Sequence, residues 1–103
     1  MVRWIRSAVP RDGREREAEA WAIKVTDFAN RLDPPAPVQV CLPKFGPDVQ
    51  RYRWMADFAS TGEWEEWWSR FVAAFWKDSE LSSEFVEAID VGSIHNEVWS
   101  ILH

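Results

Sequence analysis

Apolar residues recur along this chain with two different periods, and the switches between them mark out the elements. Residues 2–9, Val-Arg-Trp-Ile-Arg-Ser-Ala-Val, are largely β-branched, aromatic or small and stop at Pro10, which predicts a strand. Pro10-Arg11-Asp12-Gly13 is a turn, with Asp12 placed to cap a helix and Glu15 at the reciprocal capping-box position. A helix is predicted from about residue 13 to 32. Ala18, Trp21, Ala22, Val25, Phe28, Ala29 and Leu32 fall on one stripe of it, with only Ile23 off the stripe. Asp33-Pro34-Pro35-Ala36-Pro37 ends this helix, since proline cannot continue it and disfavours helix in the residue before.

The second half repeats the theme. Residues 38–45 read as a strand whose Pro43 cannot donate to a ladder, so the strand belongs at an edge or ends in a bulge. Gly46-Pro47-Asp48 is a turn. Residues 50–59 then alternate: Tyr52, Trp54, Ala56 and Phe58 share one face, Arg51, Arg53, Met55 and Asp57 the other. The two strands form a hairpin. A helix over residues 60–76 follows at once, with Ser60 and Glu63 as a capping box. Its stripe is Trp64, Trp67, Trp68, Phe71 and Phe75. Val72 and Trp76 widen the apolar arc beyond the usual stripe of roughly 100°, so one flank needs cover from the other helix or a partner chain. Lys77-Asp78-Ser79 breaks the helix. A short helix carrying Leu81, Phe85 and Ile89 follows, with Gly92 as its stop. Residues 93–102 form a last strand, with Ile94, Asn96 and Val98 opposed to His95, Glu97, Trp99 and Ile101.

The order βαββαβ, with right-handed crossovers, gives an α+β, ferredoxin-like fold: a four-stranded antiparallel sheet with its helices on one face. Residues 1–103 are expected to form a single domain of this kind. Strands one and four carry apolar residues on both parities, Ile5 beside Trp4 and Trp99 beside Val98. One-sided burial would not need them. A second sheet packed face to face would cover them, so a homodimer is expected.

Charge and composition narrow the partners. The 17 acidic and 12 basic residues leave a net charge of −5, which argues against nucleic acid and against an anionic membrane surface. No apolar run approaches 18 residues, and the N-terminus lacks a long apolar stretch, so a cytoplasmic protein is expected. The lone Cys41 excludes an internal disulfide and a Cys-rich zinc site. Phosphate loops, dinucleotide fingerprints, HExxH and serine-nucleophile elbows do not occur, and no cofactor is expected.

Four local patterns resemble the dimeric α/β-barrel superfamily, most closely its NIPSNAP-like and antibiotic-biosynthesis-monooxygenase-like branches. They are Pro10-Arg11-Asp12-Gly13-Arg14, and Phe45-Gly46-Pro47 at the hairpin corner. The others are Ala56-Asp57-Phe58-Ala59-Ser60 running into Glu63-Trp64-Glu65-Glu66-Trp67, and Gly92-Ser93-Ile94-His95-Asn96-Glu97 at the last strand. The resemblance implies that two sheets enclose a lumen. It spans cofactor-free oxygenases, haem-binding and haem-degrading enzymes, isomerases and cyclases, so fold does not settle function. Haem-degrading relatives use an Asn, a Trp and a His in set places; strand one here has no Asn and the helices no His.

The implied lumen face offers Arg53, Met55 and Asp57 from strand three and His95, Glu97 and Trp99 from strand four. Strand two offers Gln39 and Cys41. Strand one offers either Arg3, Ile5 and Ser7 or Val2, Trp4 and Arg6. His95 and Glu97 point the same way, and a histidine beside a carboxylate suits a general base; a hydrogen-bonded interface histidine fits the same pattern. Arg53 and Asp57, about 13 Å apart along the strand, suit an anion holder and a proton acceptor, or a pair of interface charges. Glu65, on the flank of the aromatic arc, is either a carboxyl raised in pKa by burial or one that bends out to solvent. The helix-stripe tryptophans and Cys41 read as core; Trp99 and Trp4 are the better stacking candidates.

Two functions follow. In the first, a homodimer holds an apolar or aromatic small molecule in its lumen and carries out cofactor-independent oxygenase or isomerase/cyclase chemistry. His95 or Asp57 moves the proton, Arg53 holds an oxyanion, Trp99 stacks on the substrate, and Glu97 and Met55 line the site. In the second, the dimer is a non-catalytic ligand carrier or interaction module. The polar groups of the inner face are then bonded to one another, and no hollow of a few hundred cubic ångströms is present.

Overall fold

A computed structural model describes all 103 residues. The elements are β1 (Val2–Ala8), α1 (Glu15–Asn30), β2 (Gln39–Cys41), β3 (Tyr52–Phe58), α2 (Thr61–Lys77), α3 (Ser79–Ala88) and β4 (His95–Ser100), with one 3₁₀ turn at Val91–Ser93 before β4. The sheet order is β2-β3-β1-β4 and every pairing is antiparallel. This is the βαββαβ, ferredoxin-like arrangement, with α3 as an extra helix.

Register fixes the two faces. Trp4 pairs with Ala56 and Val98, and Arg6 with Trp54 and Asn96. The even residues of β1 therefore lie with Tyr52, Trp54, Ala56 and Phe58 under the helices. Buried Trp67 of α2 seats on this surface against Trp4, Phe58 and Phe71, with ring centroids 5.6, 5.7 and 5.5 Å away. Trp21 of α1 does the same against Trp54 and Phe85, at 5.9 and 5.2 Å. The indole N–H groups of Trp4, Trp21 and Trp54 reach Asn96, the Leu81 carbonyl and Thr26. Those of Trp64 and Trp67 are buried without an acceptor.

The helix boundaries differ from expectation in ways that local chemistry explains. α1 begins at Glu15 with Arg14, not Asp12, at the cap; the Glu15 carboxylate accepts from Gly13 N–H instead. Its end is tied down by Asn30, which donates to the Val38 carbonyl and accepts from the Val38 N–H. Ser60 caps α2 through the Glu63 N–H, as the capping box predicts, but the Glu63 carboxylate reaches one residue further back, to Ala59 N–H. β2 is three residues rather than eight, because Pro43 and the turns after it leave no further ladder to β3. α3 ends at Ala88, not at Gly92; Ile89 leaves the helix to bridge Pro10.

α2 is the least embedded of the long helices. Only Trp67 and Phe75 of its 17 residues are buried. Its backbone stays apart from α1, and the pairs Phe28–Phe71 and Trp21–Phe75 bridge the gap. Trp76, 57% exposed, lies at the C-terminal end of the helix.

Trp67→Ala is expected to cost about 3–5 kcal/mol of stability. Trp67→Phe should cost much less, because it also removes an unpaired buried donor. Trp76→Ala should cost under about 1 kcal/mol. Urea unfolding measures all three, and equal losses at positions 67 and 76 would contradict this packing.

Candidate functional site

The face of the sheet turned away from the helices carries the residues that the alternation assigns to it. Arg3 stands between Asp57 and Trp99, Ile5 between Met55 and Glu97, and Ser7 between Arg53 and His95. Gln39 and Cys41 extend the row at the edge. Strand one thus presents Arg3, Ile5 and Ser7 here. Trp4, the other stacking candidate, is instead buried under the helices. Cys41 is exposed rather than in the core, because β2 is the edge strand and Cys41 has odd parity on it.

Two pairs among the polar groups of this face are bonded to each other, while Arg53 and His95 have no side-chain partner. Arg3 forks onto the Asp57 carboxylate, Nε to Oδ1 at 2.8 Å and Nη2 to Oδ2 at 3.1 Å. Within the chain the partner of Asp57 is therefore Arg3 and not Arg53. The Glu97 carboxylate accepts from Trp99 Nε1 at 2.7 Å, so Glu97 is bonded to Trp99 and not to His95. Met55 and Asp57, with Arg3 and Gln39, border a shallow groove of about 220 Å³; Arg53, His95, Glu97 and Trp99 lie outside it. Trp99 is 58% exposed. Glu65, the odd carboxyl of α2, is exposed to solvent.

The other face holds a feature that the sequence reading did not single out. Between α1, α2 and the sheet is a narrow, partly open cleft of about 70 Å³. Trp21, Val25 and Ala29 wall it from α1, and Trp68, Phe71, Val72, Phe75 and Trp76 from α2; Trp4, Arg6 and Trp54 of the sheet form its floor. Of 13 lining residues 12 are hydrophobic, so Arg6 is its single charge. The guanidinium carbon of Arg6 lies 5.0 Å from the centre of the Trp68 ring. Each ion pair of the chain uses other residues. Burial alone acts on Arg6 and pushes its pKa down to about 10. The signal in the sequence is a charge on the apolar parity of a strand, in Trp4-Arg6-Ala8; with that parity undecided, Arg6 is assigned to neither face.

The largest hollow is elsewhere. It is an open groove of about 930 Å³ lined by Arg11, Arg14, Arg51, Asp12, Asp48, Glu87 and Asp90 among others. Its charges are of both signs, and Arg11 and Arg51 already donate to the Val86 and Ser93 carbonyls. It offers no single ligand chemistry. No three His, Cys, Asp or Glu side chains stand together as a metal site. No helix is long and apolar enough to cross a membrane.

No family model matches this sequence, and no curated protein matches it closely. Solved structures do. A NIPSNAP-like domain protein from Burkholderia xenovorans superposes with a TM-score of 0.70 at 8% identity, covering 98% of this chain and 84% of its own. SnoaB from Streptomyces nogalater, a cofactor-independent oxygenase, superposes at 0.63 and 12% identity over 99% and 93%. A dimeric ferredoxin-like protein from an uncultured marine organism superposes at 0.57 and 13% over 99% and 94%. At these identities the likeness establishes the fold. The neighbours are those that the sequence resemblance named.

Hydrogen bonding from Arg3 holds the Asp57 carboxyl below its ordinary value; burial opposes this and the Arg3 charge adds to it. Because the folded value is the lower one, the pair contributes stability above the ordinary carboxyl pKa. That contribution is lost as pH falls through the depressed value. Asp57→Asn should therefore lower the melting temperature slightly at pH 7, with the gap to wild type closing below about pH 4. A gap that persists in acid would show that the pair is not its source.

Proposed function

We propose that this protein binds an apolar, aromatic small molecule in the cleft between its helices and its sheet, and that two copies join through the opposite face. The observation that carries the reading is the division of labour between the faces. The cleft is walled by aromatic side chains and has one charge, which has no ion pair. The outer face has two bonded polar pairs, Arg3–Asp57 and Glu97–Trp99, beside Arg53 and His95 and interleaved with Ile5 and Met55.

Paired groups are poor catalysts and good interface residues. Asp57 is committed to Arg3 and Glu97 to Trp99, and the sheet separates all of them, with His95, from the cleft. The cleft has no carboxylate or imidazole to move a proton. The reading supported best is therefore binding, the carrier alternative, rather than proton-transfer chemistry by His95 or Asp57. Arg53 and Trp99 then serve the interface between two sheets, where a second copy covers the half-exposed apolar row. The structural likeness to a dimeric protein supports this partner.

About 70 Å³ is room for roughly two waters. A ring enters only if α2 gives way, and α2 is the element able to do so. It is held by few buried residues, and Trp76 at its end is exposed.

The neutral probe N-phenyl-1-naphthylamine tests the reading. Its fluorescence should rise on binding wild type, and Val72→Trp, which fills the cleft, should abolish the rise. Trp99→Glu should convert the dimer to a folded monomer in light scattering and leave the probe signal intact. Loss of signal in the monomer with retention in Val72→Trp would place the ligand between the sheets instead. A wild-type monomer would refute the interface.

A further inference from the structure

Arg6 is anomalous on physical grounds. Desolvating a charge costs several kcal/mol in the absence of a partner, and buried charges are normally paired. The chain has 17 acidic residues, yet none reaches Arg6. Only the face of Trp68 answers it, at 5.0 Å, and a cation–π contact is worth about 0.5–2 kcal/mol. Elsewhere the chain pairs two cations that are more exposed than Arg6. Lys24 contacts Glu80 and Glu84 at 2.9 and 2.7 Å, and Arg3 contacts Asp57 at 2.8 Å. Among the cations without an ion pair, Arg6 is the one on the floor of the aromatic cleft.

We propose that Arg6 is the anchor for an anionic head group, so that the natural ligand of the cleft is an acid: an apolar, aromatic body bearing one carboxylate or comparable anion. The inference rests on the cleft being the binding site and adds the ligand's charge and its orientation. The fork of the guanidinium matches a carboxylate in two parallel hydrogen bonds. The head lies on the sheet beside Trp68, and the body runs along Phe75 toward Trp76 as α2 gives way. The anion completes the pairing that the chain itself omits. In a water-poor cleft such a charge-assisted pair gains more than at the surface.

The alternative is that Arg6 uses its stem to cover Trp68 and sends its head to solvent past the helix. Two readouts separate these. The first is competition: 1-naphthoate and the uncharged 1-naphthylmethanol are titrated against bound N-phenyl-1-naphthylamine. Wild type should prefer the acid by roughly tenfold or more. In Arg6→Met the neutral probe should still bind and the preference for the acid should vanish, with Arg6→Lys retaining part of it. The second is stability without ligand. Arg6→Met should melt at or above wild type, because it removes a half-buried charge that has no ion pair.

Equal affinities for acid and alcohol in wild type would overturn the proposal, as would an unchanged preference in Arg6→Met. So would a clear loss of stability in Arg6→Met, the mark of a merely structural stem. Failure of the neutral probe itself to bind wild type would instead refute the cleft as the site.

Discussion

Strand β1 lies between β3 and β4, and the alternation of its side chains decides what each face of the sheet can do. A period of two admits no compromise: a shift of one residue would exchange Trp4 and Arg6 for Arg3 and Ile5. The register against both neighbours puts Trp4 beneath Trp67 and Trp68, where three indoles meet within 6.4 Å of one another. That aromatic contact holds α2 to the sheet. It also carries Arg6 under the helices, because position 6 has the same parity as position 4. The core and its one anomalous charge are consequences of the same strand geometry.

The two faces then follow opposite energetic rules. On the outer face the charges are partly solvated and one ion pair, Arg3–Asp57, forms within the chain, so it contributes little and the surface is free to serve as a contact area. On the inner face the burial of indole and phenyl rings supplies most of the stability, and a single desolvated guanidinium draws on it. Proteins keep such costs where function requires them. The shape of α2 fits the same view. An apolar arc wider than one face of the sheet can cover leaves Trp64, Trp68, Phe71 and Val72 half-buried, around a cleft rather than over a sealed core.

Much of this was legible in the chain. Periods of two and 3.6 placed the long elements, and the alternation of β3 assigned Arg53, Met55 and Asp57 to one face and Tyr52, Trp54, Ala56 and Phe58 to the other. The pairing of β4 confirms the opposition of His95, Glu97 and Trp99 to Asn96 and Val98. The resemblance read from four short patterns agrees with the folds of the solved neighbours. The misplacements have one origin. β1 has large or charged residues on both parities, so its pattern does not say which side is buried. The pattern therefore leaves Trp4 and Arg6 as candidates for the outer face, and the register places both under the helices. Cys41 was misjudged for a related reason, since a three-residue edge strand buries little on its outer side.

The sequence by itself determined the elements, their order and the two chemical characters of the sheet, because local periodicity and the reach of proline, glycine and capping side chains act over a few residues. Only the tertiary structure decided which partner each polar group takes. Arg3 finds Asp57 across 54 positions, Trp4 finds Asn96 across 92, and Arg6 finds none. Hydrogen bonds and ion pairs depend on distances of a few ångströms between strands far apart in the chain, and those distances are set by register and packing, which no local pattern encodes.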